Sequence, residues 1–296
     1  MRRLSVAFVE RGIITLIGLI FLGSSPAIFT LNSEIRIDLM GYFGQIVETI
    51  KLFFSNPLEI TYYASGVERT LLPSMLGPYL YSLTILISAL ILSIIFSVLL
   101  SYIQVILPRR LSAYYKSFIT VLNSAPDVLI IVLLQLLIIA IYKKTDILLF
   151  NIISLYDNPT YVLPIICLSI APTIHLTKMV SLYINEEKNK NYILLAKGKG
   201  FSSHRVILIH ILRNVLLKIV SHFRSHFVFM LSNLFVLEYI FNIYGITNFL
   251  YKYGTANSEV LTVGLILICL PTQILLGIIE WLIKLIFKGG MTVEKI

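Results

Sequence analysis

The chain has 296 residues, of which 57% are hydrophobic and 13% charged, with a formal net charge of +9 and a mean hydropathy of +0.89. A soluble domain could not hide that much apolar side chain, so the class is an all-α polytopic membrane protein; the alternating strands of a β-barrel are absent. The positive charge marks basic loops rather than nucleic-acid binding, because no basic-aromatic module remains once the apolar segments are set aside.

Crossing a bilayer takes roughly 20 apolar residues per helix. Arg2 and Arg3 precede an apolar run that resembles a signal peptide, but the run continues to Leu31 with no small-residue cleavage site, so residues 1–31 read as an N-terminal tail and a retained first span, with Gly12 to Leu31 uncharged. Residues 32–75 form a long external loop with an amphipathic stretch, Tyr42 to Phe54, in which Ile46, Val47, Ile50 and Phe54 recur at helical spacing. Residues 76–287 form the main transmembrane domain and residues 288–296 a tail. Span two is expected from Pro78 to Leu107, with Leu71 to Gly77 as its lead-in. Its Ala89, Ser93, Ser97 and Ser101 repeat every fourth residue, which lets another helix approach closely. Span three is expected from Phe118 to Tyr142, bent at Pro126, span four from Tyr161 to Ile184, span five from Ile219 to Asn242, and span six from Val260 to Phe287. Cys167 and Cys269 lie within apolar runs, without disulfide or metal spacing, and read as packing residues.

Six spans place both termini on one side. Arg2, Arg3 and Arg11, then Arg109, Arg110 and Lys116, then Lys188, Lys190, Lys197, Lys199, Arg205 and Arg213, and finally Lys284, Lys288 and Lys295 gather there, against fewer cations opposite, so both termini are expected in the cytoplasm.

The loop at residues 185–217 carries the strongest signal. Asn189 to Lys197 favours a short helix with Tyr192, Leu195 and Ala196 on one face. Gly198 and Gly200 stop it, since glycine reaches the left-handed conformation, and Ser202 or Ser203 can cap a second helix leading into span five. A short helix held by a rigid turn can transmit a push from a docked partner, which a floppy loop cannot.

This pattern resembles the cytoplasmic loop of permease subunits of ABC importers, in the oligopeptide, dipeptide and nickel branch. The matching positions are Tyr192, Ala196, Lys199, Gly200, Arg205, Val206, His210, Leu212, Arg213 and Asn214; Asn123 to Pro126 and Glu238 to Ile246 resemble two further segments. The long first external loop is similar to that of the first, B-type permease of the pair. The chain departs from the branch where Leu194 and Leu195 precede Ala196, where Lys218 and Tyr244 replace prolines, and at Thr247.

The resemblance implies a type I ABC importer permease fold in a bacterial plasma membrane, forming half of a pathway for short peptides, with nickel or a metal chelate as the alternative cargo. It implies a homologous second permease, two ATP-binding subunits docked on Tyr192, Leu195, Ala196, Lys199, Gly200 and Arg205, and an external solute-binding lipoprotein. No phosphate-binding loop sequence is present, so ATP and magnesium belong to the partners, no cofactor is expected on this chain, and no catalytic or metal-ligating residue is assigned. A transport-inactive scaffold or sensor, or a stand-alone secondary transporter, are the readings from other classes; the latter calls for inverted repeats or intramembrane carboxylate rings that the sequence does not display.

Candidate pathway residues are Asp127, Gln135, His222, Arg224, His226, Asn233 and Glu238, since ionisable groups within a span face a cavity, a partner or the interface. Arg224 is near enough to the span's start to snorkel instead. His222, Arg224 and His226 together suggest an inner wall that favours a carboxylate-bearing solute.

Overall fold

The computed structural model describes residues 2–32, 34–55, 59–64, 66–155, 158–202, 205–255 and 257–287; the expected tail 288–296 and the alternative cap Ser203 lie outside them. The chain divides into two compact units, residues 1–83 with 244–296 and residues 84–243, the boundary falling within one long helix.

The first unit begins with helix α1 (Arg2–Gly23) and hairpin β1 (Phe29–Asn32) with β2 (Glu34–Ile37). Helix α2 (Leu39–Ser55) follows, and then hairpin β3 (Thr61–Ala64) with β4 (Val67–Thr70). The external loop thus contains the amphipathic helix read from the sequence and two antiparallel hairpins that were not anticipated. Each hairpin is only four residues per strand, too short for an alternating pattern to stand out. Gly66 turns the second hairpin at φ 78°. Tyr62 of β3 packs at 5.4 Å against Phe249 and 5.2 Å against Tyr253, both on helix α10 (Ile246–Tyr253). Helix α11 (Ser258–Phe287) pairs with α1: Gln273 donates to Thr15 at 2.8 Å, and a Cβ on Gly23 would lie 2.6 Å from the Thr262 Cα. Only glycine permits that approach.

Helix α3 (Leu71–Ile106) is continuous, so the expected lead-in is its own first two turns. Four helices are long and apolar enough to cross a membrane among the described residues: α3, α5 (Asp127–Thr145), α6 (Val162–Lys188) and the Ser258–Ile278 part of α11. The apolar part of α1, Gly12–Gly23, is shorter. The expected span five is divided by a turn at His222 into α8 (Leu212–Ser221) and α9 (Phe223–Ile240). Span three is likewise two helices, α4 (Arg109–Asn123) and α5, rather than one bent helix. Pro126 lacks an N–H and disfavours helical backbone at Ala125, so the chain leaves the helix at Ser124 and restarts at Asp127.

In the second unit α3 packs on α6 through small residues. Ser93, Ser97 and Ser101 are fully buried, as is Thr177 opposite, and the Ser101 hydroxyl donates to the Thr177 carbonyl at 3.2 Å. Ser101 thus meets α6 directly, while the Ser93 and Ser97 hydroxyls donate back to the Leu90 and Ile94 carbonyls of α3. The last turn of α6, beyond Ile184, projects past the apolar run and carries Glu186 and Glu187.

Candidate functional site

The loop after α6 folds as a helix, a stop and a second helix. Helix α7 (Asn191–Gly198) ends where Gly200 adopts φ 80°, with Lys199 N–H donating to Leu195 O at 3.0 Å and Phe201 N–H to Ala196 O at 3.3 Å. This is the left-handed stop that satisfies the last carbonyls of a helix. The Ser202 hydroxyl accepts from Arg205 N–H at 3.4 Å and so caps the next segment. That segment, Val206–Ile211, is a π-helical stretch that runs into α8.

The turn is anchored by burial. Ile193 and Ala196 of α7 join Val206, Ile207, Ile211, Val215 and Ile219 in one cluster with Leu176, Val180 and Ile184 of α6. Displacing α7 therefore drags the end of α6 and the start of α8. Leu194 and Leu195 point the other way, each 61% exposed, and Tyr192, Lys199, Gly200 and Arg205 lie on the exposed side too. Of the six docking residues expected from the sequence, Ala196 alone faces the core. Arg205 sits 5.0 Å over the Phe201 ring and stiffens the turn.

A polar knot beside this core was not anticipated. Glu187 is 1% exposed and accepts from Lys190 Nζ at 2.5 Å, from the Tyr192 hydroxyl, and from Asn214 Nδ2 at 3.4 Å. Asn214 also donates to the Tyr192 hydroxyl at 3.0 Å. Lys218 reaches Glu187 at 3.3 Å and Glu186 at 2.7 Å, and caps the Tyr183 ring at 5.1 Å. Burial by itself would raise the Glu187 carboxyl, but hydrogen bonds from Lys190, Tyr192 and Asn214 outweigh it and hold the group down at about 2. Burial, reinforced by the bond to Glu187, pushes the Tyr192 phenol up to about 12. Lys218 is raised although burial opposes it, because Glu186 and Glu187 bind its charged form. The knot thus ties α6, α7 and α8 with matched charges. Nothing in the sequence marked Glu187: its partners lie 3, 5, 27 and 31 positions away in the chain, and an acid at a helix end is ordinarily solvated.

Within the spans, the break before α5 opens a cavity of about 160 Å³ lined by Asn123, Asp127, His175 and Phe229, among others. Asn233 Nδ2 of α9 donates to Asp127 Oδ2 at 2.8 Å, and the His175 ring of α6 lies 6.1 Å from Phe229. His226 is 6% exposed, lies within electrostatic reach of His175, and has no hydrogen-bond partner on either ring nitrogen among the described residues. Asp127 and Asn233 are thereby brought together. His175 went unnoticed because a lone histidine in an apolar run carries no pattern. Lys178, one turn along α6 from it, is exposed.

The other candidates separate. Arg224 is exposed while His226 is buried, two residues along one helix and so on opposite sides of it; His222 is exposed and stacks on Tyr183 at 6.0 Å. Gln135 donates to Ile152 O at 3.4 Å, and Glu238 is fully buried.

Residues 101–287 match the family described as the binding-protein-dependent transport system inner membrane component. The chain is similar to the oligopeptide transport system permease protein OppB of Haemophilus influenzae, 31% identical over 98 residues, which cover 33% of this chain and 32% of that protein. It is also similar to the dipeptide transport system permease proteins DppB of Lactococcus lactis, 35% identical over 85 residues (29% and 28% of the two chains), and of Bacillus subtilis, 27% identical over 136 residues (43% and 44%). The matched stretches span between 28% and 44% of these curated relatives' own length.

Proposed function

The chain belongs to the binding-protein-dependent transport system inner membrane component family, and we propose that it is the permease subunit of an ATP-driven importer of short peptides. One observation carries this reading: an exposed apolar pair, Leu194 and Leu195, stands on a short helix whose opposite face is locked into the helices entering spans four and five. Such a lever serves a partner that pushes on it. In this proposal two ATP-binding subunits seat against α7 on the cytoplasmic side, and a homologous permease completes the pathway. An external lipoprotein delivers the solute, and nucleotide hydrolysis occurs in the partners.

The intramembrane polar groups suit a zwitterionic peptide. Asp127, braced by Asn233, offers a carboxylate to the ammonium end, and exposed Lys178 and Arg224 offer cations to the carboxylate end. Asp127 opens α5, where the partial positive charge of the helix N-terminus favours a carboxylate and Asn233 holds it in place. The test is reconstitution with the partner subunits, followed by peptide-stimulated ATP hydrolysis and uptake. Leu194→Asp with Leu195→Asp should abolish co-purification of the ATP-binding subunits. Asp127→Asn should slow uptake of a free dipeptide and leave its N-acetylated form unaffected. Retained docking in the first variant would overturn the lever, and equal losses for both peptides in the second would overturn the ammonium assignment.

A further inference from the structure

A second cavity, of about 300 Å³, opens where α3, α4 and α6 meet at the membrane boundary, and its lining shares no residue with the intramembrane cavity at Asp127. Its wall is built from Gln104 of α3, Leu107 just after it, Ser112 and Lys116 of α4, and Asn185 and Lys188 of α6, with Ser181 at its base. Lys116 and Lys188 are the cations of this lining, and no acidic side chain is found among its described residues. The polar wall is set in place by buried bonds: Ser181 donates to Gln104 Oε1 at 2.6 Å, and Ser112 to the Gln104 carbonyl at 3.2 Å. Gln104 is 6% exposed and Ser181 8%. The volume sits at the small end of the range for ligand pockets, about 300–1,000 Å³.

Two flanking features identify what would fill it. The site stands where the apolar runs end, at Leu107 just after α3 and at Ile184 on α6, so it lies at headgroup depth. Immediately toward the bilayer, Ile103, Ile106 and Leu182 are 40%, 45% and 57% exposed. On α4, Leu111, Tyr114, Phe118 and Val121 recur at helical spacing as an exposed apolar stripe. A basic, hydroxyl-lined hollow continuous with exposed apolar helix faces matches a molecule with an anionic head and hydrocarbon tails. Basic pockets between helices at the membrane surface recognise phosphate headgroups through the same charge complementarity.

We propose that this cavity is a binding site for the phosphate headgroup of an anionic phospholipid, held by Lys116 and Lys188 with the Asn185 amide as a further donor, its acyl chains lying along α3 and α4. The ligand chemistry is a phosphodiester anion; the apolar flanks assign it to a lipid rather than to free phosphate.

The experiment is native mass spectrometry of the full-length protein released from nanodiscs that hold equal amounts of phosphatidylglycerol and phosphatidylcholine, with a parallel titration by inorganic phosphate and glycerol phosphate. The wild type should retain phosphatidylglycerol in preference to phosphatidylcholine. K116Q/K188Q should lower that preference about 25-fold, the product of two membrane-surface cations worth about fivefold each. K116R/K188R, which keeps both charges, should preserve the preference and serves as the control for folding. Equal retention of the two lipids by the wild type, an unaltered preference in K116Q/K188Q, or a lost preference in K116R/K188R would each overturn the proposal. Binding of inorganic phosphate or glycerol phosphate as tightly as the lipid would overturn the assignment to a lipid.

Discussion

Replacing Glu187 with alanine removes the centre of the knot that fastens α7. The Tyr192 hydroxyl and the Asn214 amide lose a charged acceptor, and hydrogen bonds to charged groups contribute about 1.5–3 kcal/mol each. The Asn214 bond is long at 3.4 Å, and its second bond, to Tyr192 at 3.0 Å, survives. Lys190, 50% exposed, returns to water, and Lys218 keeps its 2.7 Å pair with Glu186, so the lost ion pairs add no more than about 1 kcal/mol. The total is about 3 kcal/mol against local opening of α7, or roughly 150-fold in the open population. Hydrogen exchange of amides 189–201, followed by mass spectrometry, should accelerate by about that factor, with Glu187→Gln intermediate because it keeps the shape but not the charge. Acid should mimic the substitution. The folded carboxyl is held at about 2 against an ordinary 4.5, so its contribution is complete above about pH 4.5 and disappears as the pH falls toward 2. Exchange rates in Glu187→Ala within about threefold of wild type, with no acid-dependent acceleration in the wild type, would refute the claim that this buried acid fastens the loop.

Three further outcomes follow from the geometry. Gly200→Ala places a side chain at φ 80°, costing about 1–2 kcal/mol, and should slow peptide-stimulated ATP hydrolysis in the reconstituted complex while leaving membrane insertion unchanged. Gly23→Ala drives a methyl group into the Thr262 backbone and should lower the thermal midpoint of the purified protein, by an overpacking cost of about 1–3 kcal/mol at the α1–α11 contact. Ser101→Leu wedges α3 from α6, where Ser101 is fully buried against Thr177, and should reduce folded yield in the membrane, as measured by fluorescence-detected size exclusion; Ser101→Ala, which keeps the small volume, should be tolerated.

Local rules were enough to read much of this chain. The apolar runs announced the long helices because lipid leaves the backbone no alternative to internal hydrogen bonding. Gly200, followed by Ser202, announced a stop and a cap because only those residue types meet the stereochemistry of a helix end cheaply. Of the small residues spaced every fourth position on α3, Ser101 meets another helix directly, at Thr177, a partner that the spacing could not name. The break at Pro126 was read as a bend and proved to be a full stop, since the pre-proline residue also leaves the helical region.

Amino-acid order by itself settled the class of the molecule, most of the long apolar helices, and the glycine stop after the helix at Asn191–Gly198, because each depends on neighbours within a few positions. Tertiary structure alone decided which face of α7 is free, that Ala196 packs inward, that Glu187 is a buried anchor, and that Asp127 meets Asn233 while Arg224 turns away from His226. Those outcomes rest on contacts between residues tens to a hundred positions apart, where burial and charge pairing are set by how helices pack and leave no local trace in the chain.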